Sequence, residues 1–301
     1  MQPPTSILVP TDFSETSRAA FPVAVQLQDA LSAPLVLAHA VPTLAYLVGA
    51  KAPKFSDYQR AVEEQAQVEL EALLEEEPFR DRSVSTEVIN DSPVAPAILD
   101  RAIDVRAGLI VVANHGRRGA KRMVLGSVTE ELMRTAQIPV LTTGRDARPW
   151  SEGEFILVPV DFTEGSDDVV RAAAHLAPRL GLGLHLVHMV EPPIAPILAE
   201  GYPEAGQFAT EELEKVAKEK LEQLATDLNV AAHAKLTVQV GGAADGVLNL
   251  AEGHDTGLIA IGSHGRRGIG RAVLGSVAET VTRHAKCPVL VVKRGQDLAG
   301  F

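Results

Sequence analysis

Ile7-Leu8-Val9-Pro10-Thr11-Asp12-Phe13-Ser14-Glu15-Thr16-Ser17 returns 149 positions later as Ile156-Leu157-Val158-Pro159-Val160-Asp161-Phe162-Thr163-Glu164-Gly165-Ser166, with 8 of 11 residues identical. His115–Glu130 falls in the same way on His264–Glu279, with 12 of 16 identical, where ordinary composition gives roughly one by chance. A fixed-period repeat over half the chain means one structural unit used twice. The turn-rich stretch Gly144–Glu154 separates the copies and carries the breakers of a connection. The expected modules are 1–147 and 148–301.

Outward from the quoted stretch, apolar strands alternate with helical spacing, the pattern of βαβ units around a parallel sheet. In the first half Ile7–Val9, Leu35–Ala38, Val84–Ile89, Leu109–Val112 and Val140–Leu141 read as strands. Several are apolar throughout, as strands covered on both faces must be. Thr16–Ala30, Tyr58–Glu76, Val94–Ala107 and Val128–Ala136 read as helices, and the second half repeats the order. Residues 42–57 and 191–210 are proline-bearing and poorly patterned; they read equally as flaps over a site or as plain connections.

The whole-chain figures narrow the function classes. The 301 residues are 46% hydrophobic and 22% charged, which suits two compact domains, and no apolar run approaches a bilayer span. A net charge of −11 opposes general binding to nucleic acid. The single cysteine, Cys287, provides neither a disulfide framework nor a multi-cysteine zinc site. It reads as an inert core thiol. The expected location is cytoplasmic, without an export signal.

The chemistry gathers after the fourth strand. Gly262-Ser263-His264-Gly265 is followed by nine residues and then Gly275-Ser276. Glycines let backbone N–H groups approach an anion closely, and a helix start adds unpaired donors and a positive dipole end. Ser276-Val277-Ala278-Glu279 and Ser127-Val128-Thr129-Glu130 also read as capping boxes. Basic residues crowd the loops: Arg117, Arg118, Lys121 and Arg122 in one, and Arg266, Arg267 and Arg271 in the other. They read either as solvated charges or as phosphate contacts.

Asp12 and Asp161 follow the first strand of each half, at the carboxyl ends where open parallel sheets bind ligands. Such a carboxylate either caps the following turn or accepts from the ligand end remote from phosphate, as an adenine amino group or ribose hydroxyl would allow. Pro10 and Pro159 cannot donate to a ladder and mark the strand ends. His115 and His264 sit inside the glycine loops, where they could contact phosphate or a bound water, but they lack a second acid or base beside them in sequence and read first as structural. His39 and His188 read as strand-end residues, with a place near the adenine open to them, rather than as metal ligands, and no metal site is expected. The sequence contains no Gly-x-x-x-x-Gly-Lys-Ser/Thr loop, so it gives no support to fast P-loop hydrolysis.

On these residues, both halves resemble the universal stress protein family over nearly the whole chain. The glycine–serine spacing of its nucleotide-binding subclass is reproduced completely by Gly262, Gly265, Gly275 and Ser276. The resemblance implies two tandem α/β modules of Rossmann-like type, each an open five-stranded parallel sheet of order 3-2-1-4-5 flanked by helices. They are expected to pair through their last strands as an intrachain pseudo-dimer, with further homodimerisation of tandem chains. It implies ATP, or ADP or AMP, with or without Mg2+. In the second half the implied contacts are Pro159, Val160, Asp161, Val190, Gly262, His264, Gly265, Arg266, Gly275, Ser276 and Val277. In the first half they are Pro10, Thr11, Asp12, Val41, Ala113, His115, Gly116, Arg117, Gly126, Ser127, Val128 and Thr129.

Ala113 replaces the leading glycine of the first half, while Thr129 offers a hydroxyl where the second half has Ala278. The second module is the expected better binder. The implied role is a stress-responsive, ATP-binding regulator with an unidentified protein partner. The alternatives are a weak ATPase or nucleotide-using transferase, and a scaffold that binds no nucleotide.

Overall fold

A computed structural model describes residues 6–43, 53–114, 125–191, 203–253, 255–263, 274–298 and 300. Two compact units emerge, Met1–Pro149 with Leu298–Phe301, and Trp150–Asp297.

In the first unit β1 (Ser6–Pro10) lies between β2 (Leu35–Val41) and β4 (Ala107–Ala113), β3 (Val84–Asn90) adds outside β2, and β5 (Val140–Thr143) adds outside β4. Every pairing is parallel, giving the order 3-2-1-4-5. The second unit repeats this with β6 (Phe155–Pro159), β7 (Gly183–Val190), β8 (Ala234–Val240), β9 (Thr256–Gly262) and β10 (Val289–Val292). Burial explains the strand chemistry. Every residue of β1 and of β4 is buried, hence their unbroken apolar runs. The outer strands β3 and β8 read Val-Ser-Thr-Glu-Val-Ile-Asn and Ala-Lys-Leu-Thr-Val-Gln-Val and stay half-exposed, and their charges guard against stray pairing.

The helices of the first unit are α1 (Phe21–Leu31), α2 (Pro53–Leu74), α3 (Val94–Asp104) and α4 (Ser127–Thr135). Those of the second are α5 (Glu164–Leu180), α6 (Pro203–Asp227), α7 (Ala243–Gly253) and α8 (Ser276–His284). Among the described residues, no helix is long and apolar enough to cross a membrane.

Three sequence readings need correction. The helix expected over Thr16–Ala30 is split into a 3-10 turn, Ser17–Ala20, and α1, because Pro22 sits at the helix start, where its missing N–H does no harm. The helix expected to reach Ala107 stops at Asp104; Arg106 turns left-handed at φ 52° and Ala107 already begins β4. The supposedly unpatterned residues 53–57 and 203–210 belong to α2 and α6, each of which begins at a proline. The parts of those stretches at 44–52 and 192–202 lie outside the described residues.

Candidate nucleotide site

The second unit builds its site where β6 ends. Pro159 closes the strand, and the next residue returns to the sheet, with the Val160 N–H donating to the Val187 carbonyl at 2.8 Å. The Asp161 carboxylate then organises the turn. Its Oδ1 accepts from the Thr163 N–H at 3.0 Å, the Thr163 hydroxyl at 2.6 Å and the Ser166 hydroxyl at 2.7 Å. The turn-capping reading of this aspartate is therefore observed, and three bonds fix the carboxylate in place.

Phe162, between Asp161 and Thr163, adopts φ 60°, a conformation that a bulky residue holds only when its surroundings impose it. Those surroundings are aromatic and cationic. Its ring lies 4.4 Å from the His188 ring, centroid to centroid, and the Lys220 ammonium stands 5.9 Å from the ring centroid. His188 is held by Nδ1–H donating to the Val160 carbonyl at 2.6 Å. A carbonyl can only accept, so the proton sits on Nδ1.

On the other side of the crevice the glycine loop leaves β9 and re-enters at α8. Its two ends are clipped together by the Gly275 N–H donating to the Ser263 carbonyl at 2.8 Å, while the Ser263 N–H reaches the Val292 carbonyl at 3.0 Å. Gly275, at φ −63° and ψ 144°, is the residue that caps α8. This overturns the capping-box reading by one position. Ser276 is the first helical residue, the Glu279 N–H bonds the Gly275 carbonyl at 2.8 Å, and the Glu279 carboxylate pairs with Arg283. The N–H groups of Ser276, Val277 and Ala278 have no acceptor inside the helix. They lie at its positive end.

Pro159, Val160, Asp161, Val190, Gly262, Gly275, Ser276 and Val277 line one crevice of about 960 Å3 at the carboxyl ends of the strands. Sequence reasoning missed Phe162, Leu213, Val216, Ala217 and Lys220, which also line it. The repeated Asp-Phe pair was a signal for Phe162. The i, i+3, i+4, i+7 spacing of the other four was a signal for a shared helix face. His188, read as a strand-end residue with a place near the ligand open to it, lines the same crevice. His264, Gly265, Arg266, Arg267 and Arg271 lie outside the described residues.

The first unit repeats the frame. Asp12 Oδ1 accepts from the Ser14 N–H at 3.0 Å, Phe13 has φ 64°, and its ring stacks on His39 with centroids 4.2 Å apart. His39 Nδ1–H donates to the Thr11 carbonyl at 2.8 Å. Pro10 ends β1, and Val41 ends β2 as a buried residue. The loop ends are again clipped, with the Gly126 N–H on the Asn114 carbonyl at 2.7 Å. The Glu130 N–H bonds the Gly126 carbonyl at 2.8 Å, so Ser127 starts α4, followed by Val128, and the box reading fails here too. The Thr129 hydroxyl, read as available to a ligand, is buried and donates to the Ala113 carbonyl at 2.8 Å. His115, Gly116, Arg117, Arg118, Lys121 and Arg122 lie outside the described residues.

Comparison with known proteins gives a consistent result. The universal stress protein family model matches residues 4–143 and again 154–293. A universal stress protein of Mycolicibacterium smegmatis is 28% identical over 301 residues, covering 95% of this chain and 96% of the relative. One of Methanocaldococcus jannaschii is 31% identical over 140 residues, covering 46% of this chain and 81% of the relative. The crystal structure of a universal stress protein from Archaeoglobus fulgidus superposes with a TM-score of 0.68 at 22% identity, covering 96% of this chain and 98% of that one; this likeness concerns the fold.

Proposed function

From the premise that the chain belongs to the universal stress protein family as a tandem of two such domains, we propose that its second unit binds ATP, or the related ADP or AMP. The protein then acts as a stress-responsive regulator whose occupied and empty states differ in affinity for a protein partner. The observation that carries the reading is a convergence. The turn after the first strand, the end of the second, and the glycine–serine head of the last helix all meet in one crevice.

The crevice fits such a ligand. Its volume of about 960 Å3 is at the upper end of small-molecule sites, roughly 300–1,000 Å3. One end presents the N–H groups of Ser276 and Val277 toward an anion. The other presents Asp161 and the Val190 strand end, suited to a base and ribose. His264, Gly265 and Arg266 complete the proposed set on the loop, and Pro10, Thr11, Asp12, Val41, Gly126, Ser127 and Val128 form the proposed counterpart in the first unit. An accompanying Mg2+ would be held chiefly by phosphate oxygens and water. The proposed setting is the cytoplasm, with two tandem chains forming a homodimer that light scattering would reveal by its mass.

The functional reading is tested by mass spectrometry of small molecules released from protein purified without added nucleotide, followed by calorimetric titration of the emptied protein with ATP. Release of an adenine nucleotide, or saturable ATP binding, supports it. Absence of both refutes it.

A further inference from the structure

Resting on the reading of the second unit as an adenine-nucleotide site, we propose that Lys220 is the residue by which the wall of that site selects for negative charge on the ligand. The α6 face toward the crevice consists of Leu213, Val216, Ala217 and Lys220, so three apolar residues are followed, one turn on, by a cation. Among the described lining residues the charged ones are Asp161, Glu191 and Lys220, and Lys220 is the only lysine or arginine. Two carboxylates in the crevice wall raise the cost of placing a polyphosphate beside them. The three hydrogen bonds of its turn hold the Asp161 carboxylate in place, and the lysine supplies a full positive charge that the described lining residues of the strands and α8 lack.

Its position is held from two sides. The stem rises from a helix anchored by buried Ala217 and Leu221, and the ammonium stands 5.9 Å above the Phe162 ring, close enough for cation–π attraction. Phe162 is in turn fixed by its tilted contact with the His188 ring and by the adjoining Asp161 turn. The ammonium is thus held beside the crevice by residues that the Asp161 turn keeps in place.

The duplication supplies an internal control. Buried Ala66 and Leu70 of α2 stand where Ala217 and Leu221 stand in α6, which sets Glu69 in the place of Lys220. The sign of the charge is reversed. Glu69 accepts a hydrogen bond from Gln65 at 3.2 Å, and Gln65 itself stands in the place of Val216. One unit therefore carries a cation at the position where the other carries an anion. The same scaffold can thereby favour polyphosphate in one copy and disfavour it in the other.

The test is calorimetric titration of the full chain with ATP and, separately, with adenosine, which lacks the phosphates. Lys220→Met is expected to weaken ATP roughly three- to tenfold, as loss of one exposed charge contact would, while leaving adenosine within about twofold. Lys220→Glu should weaken ATP further, and Lys220→Arg should restore it. The deficit of Lys220→Met should shrink as salt screens the contact. ATP affinity unchanged in Lys220→Met, or ATP and adenosine weakened together, overturns the assignment while the nucleotide reading stands. Failure of the wild-type chain to bind ATP removes both.

Discussion

At the head of α4 the first unit has Thr129, whose hydroxyl is engaged by the Ala113 carbonyl, whereas at the head of α8 the second unit has Ala278, a methyl group on the crevice wall. At the sheet ends the two units agree almost bond for bond. In each, an aspartate organises its own turn, a left-handed phenylalanine packs its ring against a histidine ring, and a backbone hydrogen bond ties the two ends of the glycine loop together. The differences lie around the proposed ligand: Ala113 for Gly262, Thr129 for Ala278, Glu69 for Lys220. Duplication followed by divergence has kept the bonds that shape the sheet ends and changed the side chains around the proposed ligand. The two copies differ in chemistry far more than in architecture.

The shared frame can be broken most severely from the core. Leu70 and Leu221 are equivalent, fully buried helix residues, and replacing either with alanine should remove about 2–5 kcal/mol from its own unit, read by urea unfolding with a probe in each unit. A difference above ~2 kcal/mol between the two variants would break the equivalence.

Next in size is an effect on binding rather than folding. Gly275 and Gly126 cap their helices at φ −63° and −64°, angles open to any residue. Glycine there therefore answers to close approach, not to backbone strain. Gly275→Val should shift stability by about 1 kcal/mol or less yet weaken ATP by roughly 100-fold, near 2.7 kcal/mol. Gly126→Val should leave the high-affinity event intact. Calorimetry showing equal losses in the two variants would make the units equal binders.

The smallest effect concerns Lys293, in the position of Gly144 of the first unit. Burial pushes its pKa down to about 8 from the ordinary 10.5. Below about pH 8 the ammonium is charged in both folded and unfolded chains, and its desolvation opposes folding. Between about pH 8 and 10.5 the unfolded chain holds more protons, so this contribution to stability rises with pH. Lys293→Met should stabilise the second unit at pH 7, with the gain narrowing by pH 10 in urea midpoints. A gap independent of pH would show that charge burial is not its cause.

Much of this was legible in the sequence, for physical reasons that differ by residue. Strands covered on both faces must be apolar throughout, so β1 and β4 and their copies announced themselves. Pro10 and Pro159 marked the strand ends, and the repeat supplied independent confirmation of each element. The serine–glutamate boxes misled because a serine at the first helical position has the same spacing to glutamate as one at the cap. Gly126 and Gly275 took the cap instead. The starts of α2 and α6 were hidden because a helix that opens on proline and polar residues has no apolar stripe in its first turn. Lys220 could not be placed at all until the fold set α6 beside the Asp161 turn.

The backbone clip between Ser263 and Gly275 also bears on how such a protein can change. Because the two feet of the loop are tied, the head of α8 keeps its place whatever the chain between them contains, and doubling a flexible loop costs only about 0.6 kcal/mol in closure entropy. Residues can thus be inserted, removed or exchanged between these feet without disturbing the sheet. The proposed ligand preference can drift there while the scaffold stays under separate selection.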